Sequence, residues 1–410
     1  MTATEVDETA PASDVGALLE VTDLSTTFAT AKGPIRAVED VSLSLDRGRT
    51  LGIVGESGSG KSVLSRSIMG LIPAYASRTG SVRYDGEEML GASPSQLRKV
   101  WGVHMSMVFQ DPMTALNPVQ RIGRQITESI NEHLDYSKSQ QRDTAVALLR
   151  SVGIPEPERR LKQYPHELSG GMRQRVVIAI ALACGPALLF ADEPTTALDV
   201  TVQAQILDLL ADQQRERNMA VILVTHDLGV VATRADEIAV MYGGRIVEQA
   251  SAPVLFRQMR HPYTEALLKS IPRLDLPSHT RLEAIGGRPP DLMNPPPGCR
   301  FAPRCPYAQD DCRAEEPPLA DDGTGHLFRC WHPVGIESEQ TTLDTILTEA
   351  HVREPGDALA ADAASDGDGD GSAPATDIST PVPTADPPAA ERSSAAPAND
   401  APATGPGGAD

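Results

Sequence analysis

One glycine-rich octapeptide, placed between a buried strand and a helix, constrains the fold of this chain more than any other segment. The apolar run Thr50–Val54 is typical of a buried strand, and Val63–Met69 is typical of a helix. The octapeptide matches G-x-x-x-x-G-K-[ST] at every fixed position and consists of Gly55, Glu56, Ser57, Gly58, Ser59, Gly60, Lys61 and Ser62. Its glycines let backbone N–H groups point at phosphate oxygens, and the helix directs its positive end at the same anion. The sequence therefore predicts a nucleotide-phosphate site in an α/β fold.

Two acidic residues supply the chemistry that a phosphate loop alone lacks. The run Ala187–Ala191 is apolar throughout, as expected of a central parallel strand, and it ends in Asp192 and Glu193. Lys61 can neutralise the β- and γ-phosphates, and the Ser62 hydroxyl can ligate Mg²⁺. Asp192 also suits Mg²⁺, whereas Glu193 suits a general base for an attacking water. We expect ATP and Mg²⁺ to bind here.

A second glycine-containing motif narrows the class of nucleotide-binding protein. The stretch Leu168–Arg175 reads LSGGMRQR and resembles the signature of ABC-type ATPases, in which LSGGQ is usual and Met172 departs from the Gln. It offers another anion site before a helix that we predict over Val176–Cys184. The groups that would contact the anion belong to Ser169, Gly170 and Gly171. The resemblance implies that they close over the γ-phosphate held by the opposite subunit, so that one chain makes half of each active site.

Four further positions resemble motifs of the same family. Gln110 ends a predicted strand and, with the following Asp111–Pro118, resembles the Q-loop, whose amide reaches the metal and the attacking water. In the family, the region around 111–120 also receives a helix of the membrane subunit. Asp199 resembles the D-loop aspartate near the dimer interface, and His226 resembles the switch histidine that touches the γ-phosphate. Phe28 is the candidate for the aromatic residue that stacks on adenine, although a core Phe is the alternative.

Together these motifs identify the chain as a member of the ABC transporter ATP-binding subunits. The resemblance implies an α/β P-loop NTPase fold with a RecA-like core, an antiparallel β subdomain and an α-helical signature subdomain. Apolar residues at spacings of four within 119–165 predict the helices of the signature subdomain. We expect residues 1–16 to be disordered and residues 17–260 to form the ATPase domain.

The chain after residue 260 resembles the C-terminal extension of oligopeptide/dipeptide permease ATPases, a group that includes nickel importers. The resemblance rests on three stretches, His261–Leu268, Gly287–Asp291 and Pro297–Pro306, and it predicts a small domain over 261–345. This segment holds four of the five cysteines, Cys299, Cys305, Cys312 and Cys330. In a cytosolic chain, metal binding is a better interpretation than disulfides. Zinc sites typically separate paired cysteines by about two to four residues, and the separations between these cysteines are wider. Four thiolates suit a [4Fe–4S] cluster, which the resemblance favours; zinc and unmetallated or oxidised cysteines stay open.

Composition limits where the protein acts and what it binds. The net charge is −20 and no basic patch is evident, so a nucleic-acid partner is not expected. No apolar run reaches the about 20 residues of a membrane span, and the acidic N-terminus does not resemble a signal peptide. The segment 346–410 is rich in Ala, Pro, Asp and Gly, which predicts a disordered acidic tail. We therefore expect a peripheral protein at the cytoplasmic face of the membrane.

The predicted function is ATP hydrolysis that energises import of di- or oligopeptides. The expected partners are a homologous ATP-binding subunit or a second copy, two integral membrane permease subunits and an extracytoplasmic solute-binding protein. One alternative is the same machinery importing nickel or another solute. Two alternatives from other classes are a soluble ABC ATPase without a transport role and a redox-gated interaction protein. A soluble ABC protein acting on DNA or ribosomes would need two ATPase cores or long coiled coils, which this sequence lacks.

Overall fold

Two β-sheets organise the residues that the computed structural model describes, which are 16–196, 198–270 and 285–335. The strands are β1 (Leu19–Thr30), β2 (Gly33–Leu45), β3 (Thr50–Val54), β4 (Ala76–Tyr84), β5 (Glu87–Glu88), β6 (Met105–Val108), β7 (Leu188–Asp192), β8 (Ala220–Thr225), β9 (Glu237–Tyr242), β10 (Arg245–Ser251), β11 (Ala320–Asp321) and β12 (Leu327–Phe328). The helices are α1 (Lys61–Met69), α2 (Pro94–Val100), α3 (Pro112–Ala115), α4 (Ile122–His133), α5 (Lys138–Ser151), α6 (Pro157–Arg160), α7 (Gly170–Ala181), α8 (Val200–Arg217), α9 (Leu228–Arg234), α10 (Ala252–Arg257), α11 (Pro262–Lys269) and α12 (Asp310–Ala314). Except for Gly16, the two segments predicted to be disordered lie outside the described residues.

The larger sheet brings the predicted phosphate and acidic motifs to one edge. Its strand order is β11-β12-β10-β9-β3-β8-β7-β6, and the pairings of β3 with β8 and β9, of β7 with β8 and of β6 with β7 are parallel. Strands β3, β7 and β8 are buried along their whole length, which explains their uninterrupted apolar sequences. Because parallel strands end at the same edge, the loops after β3, β6, β7 and β8 meet there. The predicted α/β fold is confirmed.

The smaller sheet is antiparallel and has the order β2-β1-β4-β5. Its apolar side chains belong to the same core cluster as one face of β3, β7 and β8, the face that carries Leu51, Phe190 and Ile222. Helix α1 contacts strands of both sheets. Residues Leu19, Leu24 and Val38 are fully buried there. This sheet carries Phe28 on β1, where it pairs with Ile35 of β2. It therefore positions the candidate adenine-stacking residue.

A helical region between β6 and β7 carries the signature motif at its end. Helix α4 buries Ile122, Ile126 and Ile130 completely, as their spacing of four predicts. The predicted start of the helix that follows the signature motif is wrong, because this helix, α7, begins at Gly170 rather than at Val176. The Ser169 hydroxyl caps α7 by accepting the backbone N–H of Met172 at 3.3 Å. Both signature glycines therefore lie in the first turn of the helix.

The segment after β10 adds to the core sheet. Strands β9 and β10 form a hairpin around Gly243-Gly244, and β12 pairs antiparallel with β10. The added strands are short, and the remaining described chain from 285 to 335 consists mostly of irregular segments, bends and turns. The domain boundary at residue 260 stays a prediction. Among the described residues, no helix combines the length and apolarity that crossing a bilayer requires.

Candidate nucleotide-binding and catalytic site

The phosphate loop follows β3 and is shaped by its glycines. Gly60 has a φ of 104°, and a Cβ atom there would collide with the Ala37 carbonyl. A Cβ atom at Gly55 would collide with the Met241 carbonyl, whereas Gly58 has open space around its Cβ position. The loop is thus pressed against the protein at two glycines and open at the third. This open face fits the backbone cradle that a phosphate chain requires.

Lys61 is buried at the first residue of α1. Its Nζ donates to the carbonyl oxygens of Gly55 at 2.7 Å and Glu56 at 2.9 Å, so the side chain curls back over its own loop. Burial lowers the pKa of Lys61, while the nearby carboxylates of Glu193, Asp192 and Glu56 oppose that shift. The ammonium therefore lies between the phosphate loop and the acids at the end of β7.

Ser62 and Asp192 form a pair of oxygen ligands beside that ammonium. The Ser62 hydroxyl donates to Oδ1 of Asp192 at 2.8 Å, and the Asp192 side chain is 1% exposed. Its Oδ2 is buried and accepts no hydrogen bond from any described residue, and Arg66 is 4.0 Å away. Burial raises the pKa of Asp192, and the Ser62 hydrogen bond opposes the increase. An unpartnered carboxylate oxygen next to a hydroxyl fits Mg²⁺, which prefers such ligands.

Glu193 is held by three side chains from three different loops. Its Oε2 accepts hydrogen bonds from Gln110 Nε2 and Thr196 Oγ1, both at 2.9 Å, and lies 3.5 Å from Nδ1 of His226. Among the described residues, none donates to Oε1. The backbone φ of Glu193 is +47°, a conformation that costs about 1–3 kcal/mol and is typical of functional sites. One carboxylate oxygen is fixed and the other remains available to a water molecule.

Other predicted site residues lie apart from this group. Ser169 bonds within its own turn, and a Cβ at Gly171 would lie 2.9 Å from Val202 of α8. Asp199 caps α8 by accepting the N–H of Val202 at 3.0 Å. Phe28 is half-buried, and its ring centroid is 6.1 Å from that of Tyr75. In this single chain, therefore, the described hydrogen bonds join the signature and Asp199 to α7 and α8 rather than to the phosphate loop.

The four clustered cysteines line one small cavity, which also borders Phe301. All are free thiols. Burial raises the pKa of Cys299 to about 11 and that of Cys330 to about 12. Ligand atoms of Asp311, Cys312 and His332 lie within 4.8 Å of one another. Four thiols around one cavity are a donor set that a soft metal can use.

Three residues that contact the site were missed by the sequence analysis. Thr196 donates a hydrogen bond to Glu193. Its position only three residues after Glu193 was the sequence feature that could have indicated this contact. Tyr263 Oη accepts the backbone N–H of Glu56 at 2.7 Å, and Arg304 forms an ion pair with the Glu56 carboxylate at 2.6 Å. Glu56 and Arg304 are 248 residues apart, so no local pattern could connect them.

Family comparisons agree with this geometry. The family model described as ABC transporter matches residues 38–196, and that described as oligopeptide/dipeptide transporter, C-terminal region, matches residues 247–312. The oligopeptide transport ATP-binding protein OppD of Bacillus subtilis is 51% identical over 321 residues, which cover 77% of this chain and 89% of that protein. The dipeptide transport ATP-binding protein DppD of the same organism is 49% identical, covering 77% and 94%. OppD of Escherichia coli is 50% identical, covering 78% and 94%.

Solved structures give the same fold. A dimeric post-hydrolysis structure of the ATP-binding cassette MJ0796 with ADP and Pi has a TM-score of 0.52 and 28% identity, covering 57% of this chain and 98% of that one. CbiO1 from Clostridium perfringens, part of the ABC transporter complex CbiONQ, has a TM-score of 0.50 and 27% identity, covering 59% and 91%. The chain therefore belongs to the ABC transporter family, as an ATP-hydrolysing ATP-binding subunit of its oligopeptide/dipeptide branch.

Proposed function

We propose that this chain hydrolyses ATP to energise the import of di- or oligopeptides through two membrane permease subunits. The names of the peptide-transport relatives support peptides as the cargo. The match of residues 247–312 to the oligopeptide/dipeptide C-terminal region supports a place in the peptide-transporting branch of the family. The chain would act at the cytoplasmic face of the membrane, with an extracytoplasmic solute-binding protein delivering the peptide. Deletion of the gene should abolish uptake of labelled dipeptides, whereas loss of nickel uptake alone would favour the alternative cargo.

The arrangement around Glu193 carries the proposed reaction. The phosphate-loop N–H groups and Lys61 would bind the β- and γ-phosphates. Mg²⁺, when held by Ser62 and Asp192, with Gln110 in reach, would neutralise phosphate charge. Glu193 would accept a proton from water through Oε1 as the water oxygen bonds to the γ-phosphorus and the bond to the ADP oxygen breaks. Gln110, Thr196 and His226 hold the carboxylate in that orientation.

A second ATP-binding chain would complete each site. Ser169, Gly170 and Gly171 are at the start of α7, where a capped helix offers free N–H groups to an anion. Because the Ser169 hydroxyl is bonded within its own turn and not to the phosphate loop of this chain, we assign these three residues to the γ-phosphate of the opposite subunit, with Asp199 at the same interface. Phe28 would stack on the adenine. The dimeric state of the MJ0796 cassette supports this assignment; the partner is a homologous subunit or a second copy.

Coupling to the permease would pass through residues 111–118. Helix α3 in this segment exposes Met113, whose side chain is 60% accessible, and Met113 contacts Arg173 of α7. The same segment follows Gln110, which contacts Glu193. An exposed apolar residue that contacts the signature helix, three residues after the glutamine that contacts Glu193, suits a surface that receives a permease helix.

The test of the proposed reaction is the substitution Glu193→Gln. We expect nucleotide binding to persist while phosphate release falls about 10²- to 10⁴-fold, because the amide cannot accept the proton. The exposed Glu128 on α4 provides the matched control, since Glu128→Gln removes the same charge away from the site. Unchanged phosphate release from the Glu193→Gln chain would remove Glu193 from its assigned role.

We also propose that residues 261–345 form a small C-terminal domain in which Cys299, Cys305, Cys312 and Cys330 hold a [4Fe–4S] cluster. Their shared cavity supports this assignment. The protein purified without oxygen should contain about four iron and four sulfide ions per chain, and Cys305→Ser should lower both. Cys184→Ser is the control because that cysteine lies beside Ser129, outside the cavity. Stoichiometric zinc without sulfide, or no metal, would contradict the cluster.

A further inference from the structure

The phosphate loop contains an acidic residue at a position where negative charge opposes its function. Glu56 directly follows Gly55, and its carbonyl accepts the Lys61 ammonium at 2.9 Å. The Glu56 carboxylate acts electrostatically on that ammonium, and an unpaired carboxylate on this loop would repel the triphosphate of a nucleotide. Its side chain is nevertheless only 27% exposed, so it is not simply directed into solvent. Something in the fold must offset its charge.

Arg304 meets Glu56 in a two-pronged ion pair. Nη1 donates to Oε2 at 2.6 Å and Nη2 donates to Oε1 at 2.9 Å, which is the geometry in which Arg binds carboxylates most strongly. The Arg304 side chain is 3% exposed. Its Nε donates to the Gly286 carbonyl at 2.7 Å and its Nη2 to the Ile285 carbonyl at 3.1 Å. Contacts within the C-terminal segment, the described residues 285–335, therefore fix the guanidinium independently of its contact with the phosphate loop.

An aromatic group supports the same contact. The guanidinium carbon of Arg304 lies 5.8 Å from the centroid of the Tyr242 ring and 6.0 Å from that of Phe301. Tyr263 packs on both rings, and its hydroxyl accepts the Glu56 N–H at 2.7 Å. Glu56 is thus held at its backbone by α11 and at its carboxylate by Arg304. Because the loop is fixed on one side by these contacts, its remaining N–H groups keep one orientation.

We propose that Arg304 is a positioning residue for the phosphate loop, which neutralises and orients Glu56 and so sets the affinity for nucleotide. The inference rests on the nucleotide site proposed above and extends it to a residue of the C-terminal segment. Without Arg304, the Glu56 carboxylate would face the phosphates uncompensated. With Arg304 present, the Glu56 carboxylate is the group through which the C-terminal segment binds the phosphate loop.

The experiment measures Mg-ADP binding to the purified full-length chain by calorimetry, which involves no turnover. Arg304→Gln should raise the Kd about tenfold, because an unscreened carboxylate now opposes the phosphates. The defect should shrink as salt rises from about 0.05 M to about 0.5 M. The double variant Glu56→Gln with Arg304→Gln should return the Kd to within about threefold of that of the unmodified chain.

Arg329→Gln is the matched control. Arg329 belongs to the same C-terminal segment, has similar burial and binds Asp40 of β2 at 2.7 Å rather than the phosphate loop. Its loss should leave the Kd unchanged within about twofold. If Arg304→Gln also leaves the Kd unchanged, or if the double variant binds as weakly as Arg304→Gln, the inference is overturned.

Two further results separate the possible failures. Should Arg304→Gln not fold, Glu56→Gln alone decides the matter: it must bind Mg-ADP at least as tightly as the unmodified chain, and weaker binding would refute charge compensation. Absence of Mg-ADP and Mg-ATP binding to the unmodified chain would instead overturn the proposed nucleotide site.

Discussion

At the scale of single residues, the site depends on polar side chains that hold Glu193 and Glu56 in place. Gln110, Thr196 and His226 leave one oxygen of Glu193 free, and Arg304 occupies both oxygens of Glu56. The two acids are therefore used in opposite ways. In the proposed reaction, Glu193 would act as the base, whereas the paired Glu56 would leave the loop able to accept phosphate.

Thr196→Val tests the residue that holds Glu193. The substitution keeps the side-chain shape and removes the hydroxyl that donates to Oε2 at 2.9 Å. We expect phosphate release to fall about tenfold while the Kd for Mg-ADP stays the same, because only the orientation of the base is lost. Thr127→Val is the control, since that hydroxyl bonds to the Gly123 carbonyl within α4. A changed Kd with normal turnover would contradict this role.

At the scale of elements, local patterns predicted most of the core but not the contacts that cross it. The strand, the glycine loop and the helix of the phosphate site follow one another in sequence, so their order alone identified them. The start of α7 was misplaced because a Gly pair usually indicates a loop. The Ser169 cap and the close approach of Val202 to Gly171 instead favour helix there. The pairing of Arg304 with Glu56 leaves no local trace in the sequence.

Two matched helix caps separate the stability of α7 from its proposed role. Ser169 and Ser137 each accept a backbone N–H at the start of a helix, at 3.3 Å and 3.4 Å. Replacement of either by Ala should lower the free energy of unfolding by about 1 kcal/mol. Only Ser169→Ala should also slow ATP hydrolysis in the assembled transporter. Equal hydrolysis by both variants, measured as phosphate release, would argue against an anion contact at Ser169.

At the scale of the whole molecule, the C-terminal segment is attached to the ATPase core through arginines. Arg300 pairs with Glu39 and Gly243, Arg304 with Glu56, and Arg329 with Asp40. The turn that carries Arg304 also carries Cys299 and Cys305, whose backbones are joined through Ala302. A cluster held by these cysteines, as proposed above, would therefore lie on the same turn as the arginine that contacts the phosphate loop.

Removal of the proposed cluster should weaken nucleotide binding. We expect the Kd for Mg-ADP to rise several-fold after chelation, because a loosened turn no longer fixes Arg304. In the Arg304→Gln chain, the same treatment should add little, since the connection is already broken. Calorimetry on the four samples gives the comparison. Equal additional losses in both chains would show that the cysteines act by another route.

The central claim is that two ATP-binding chains grip nucleotide between them. The most direct measurement is native mass spectrometry of the Glu193→Gln chain, purified in saturating Mg-ATP with its membrane subunits. We predict particles that contain two ATP-binding subunits and two trapped nucleotides. Particles with a single ATP-binding chain, or with paired chains that retain no nucleotide, would contradict the account.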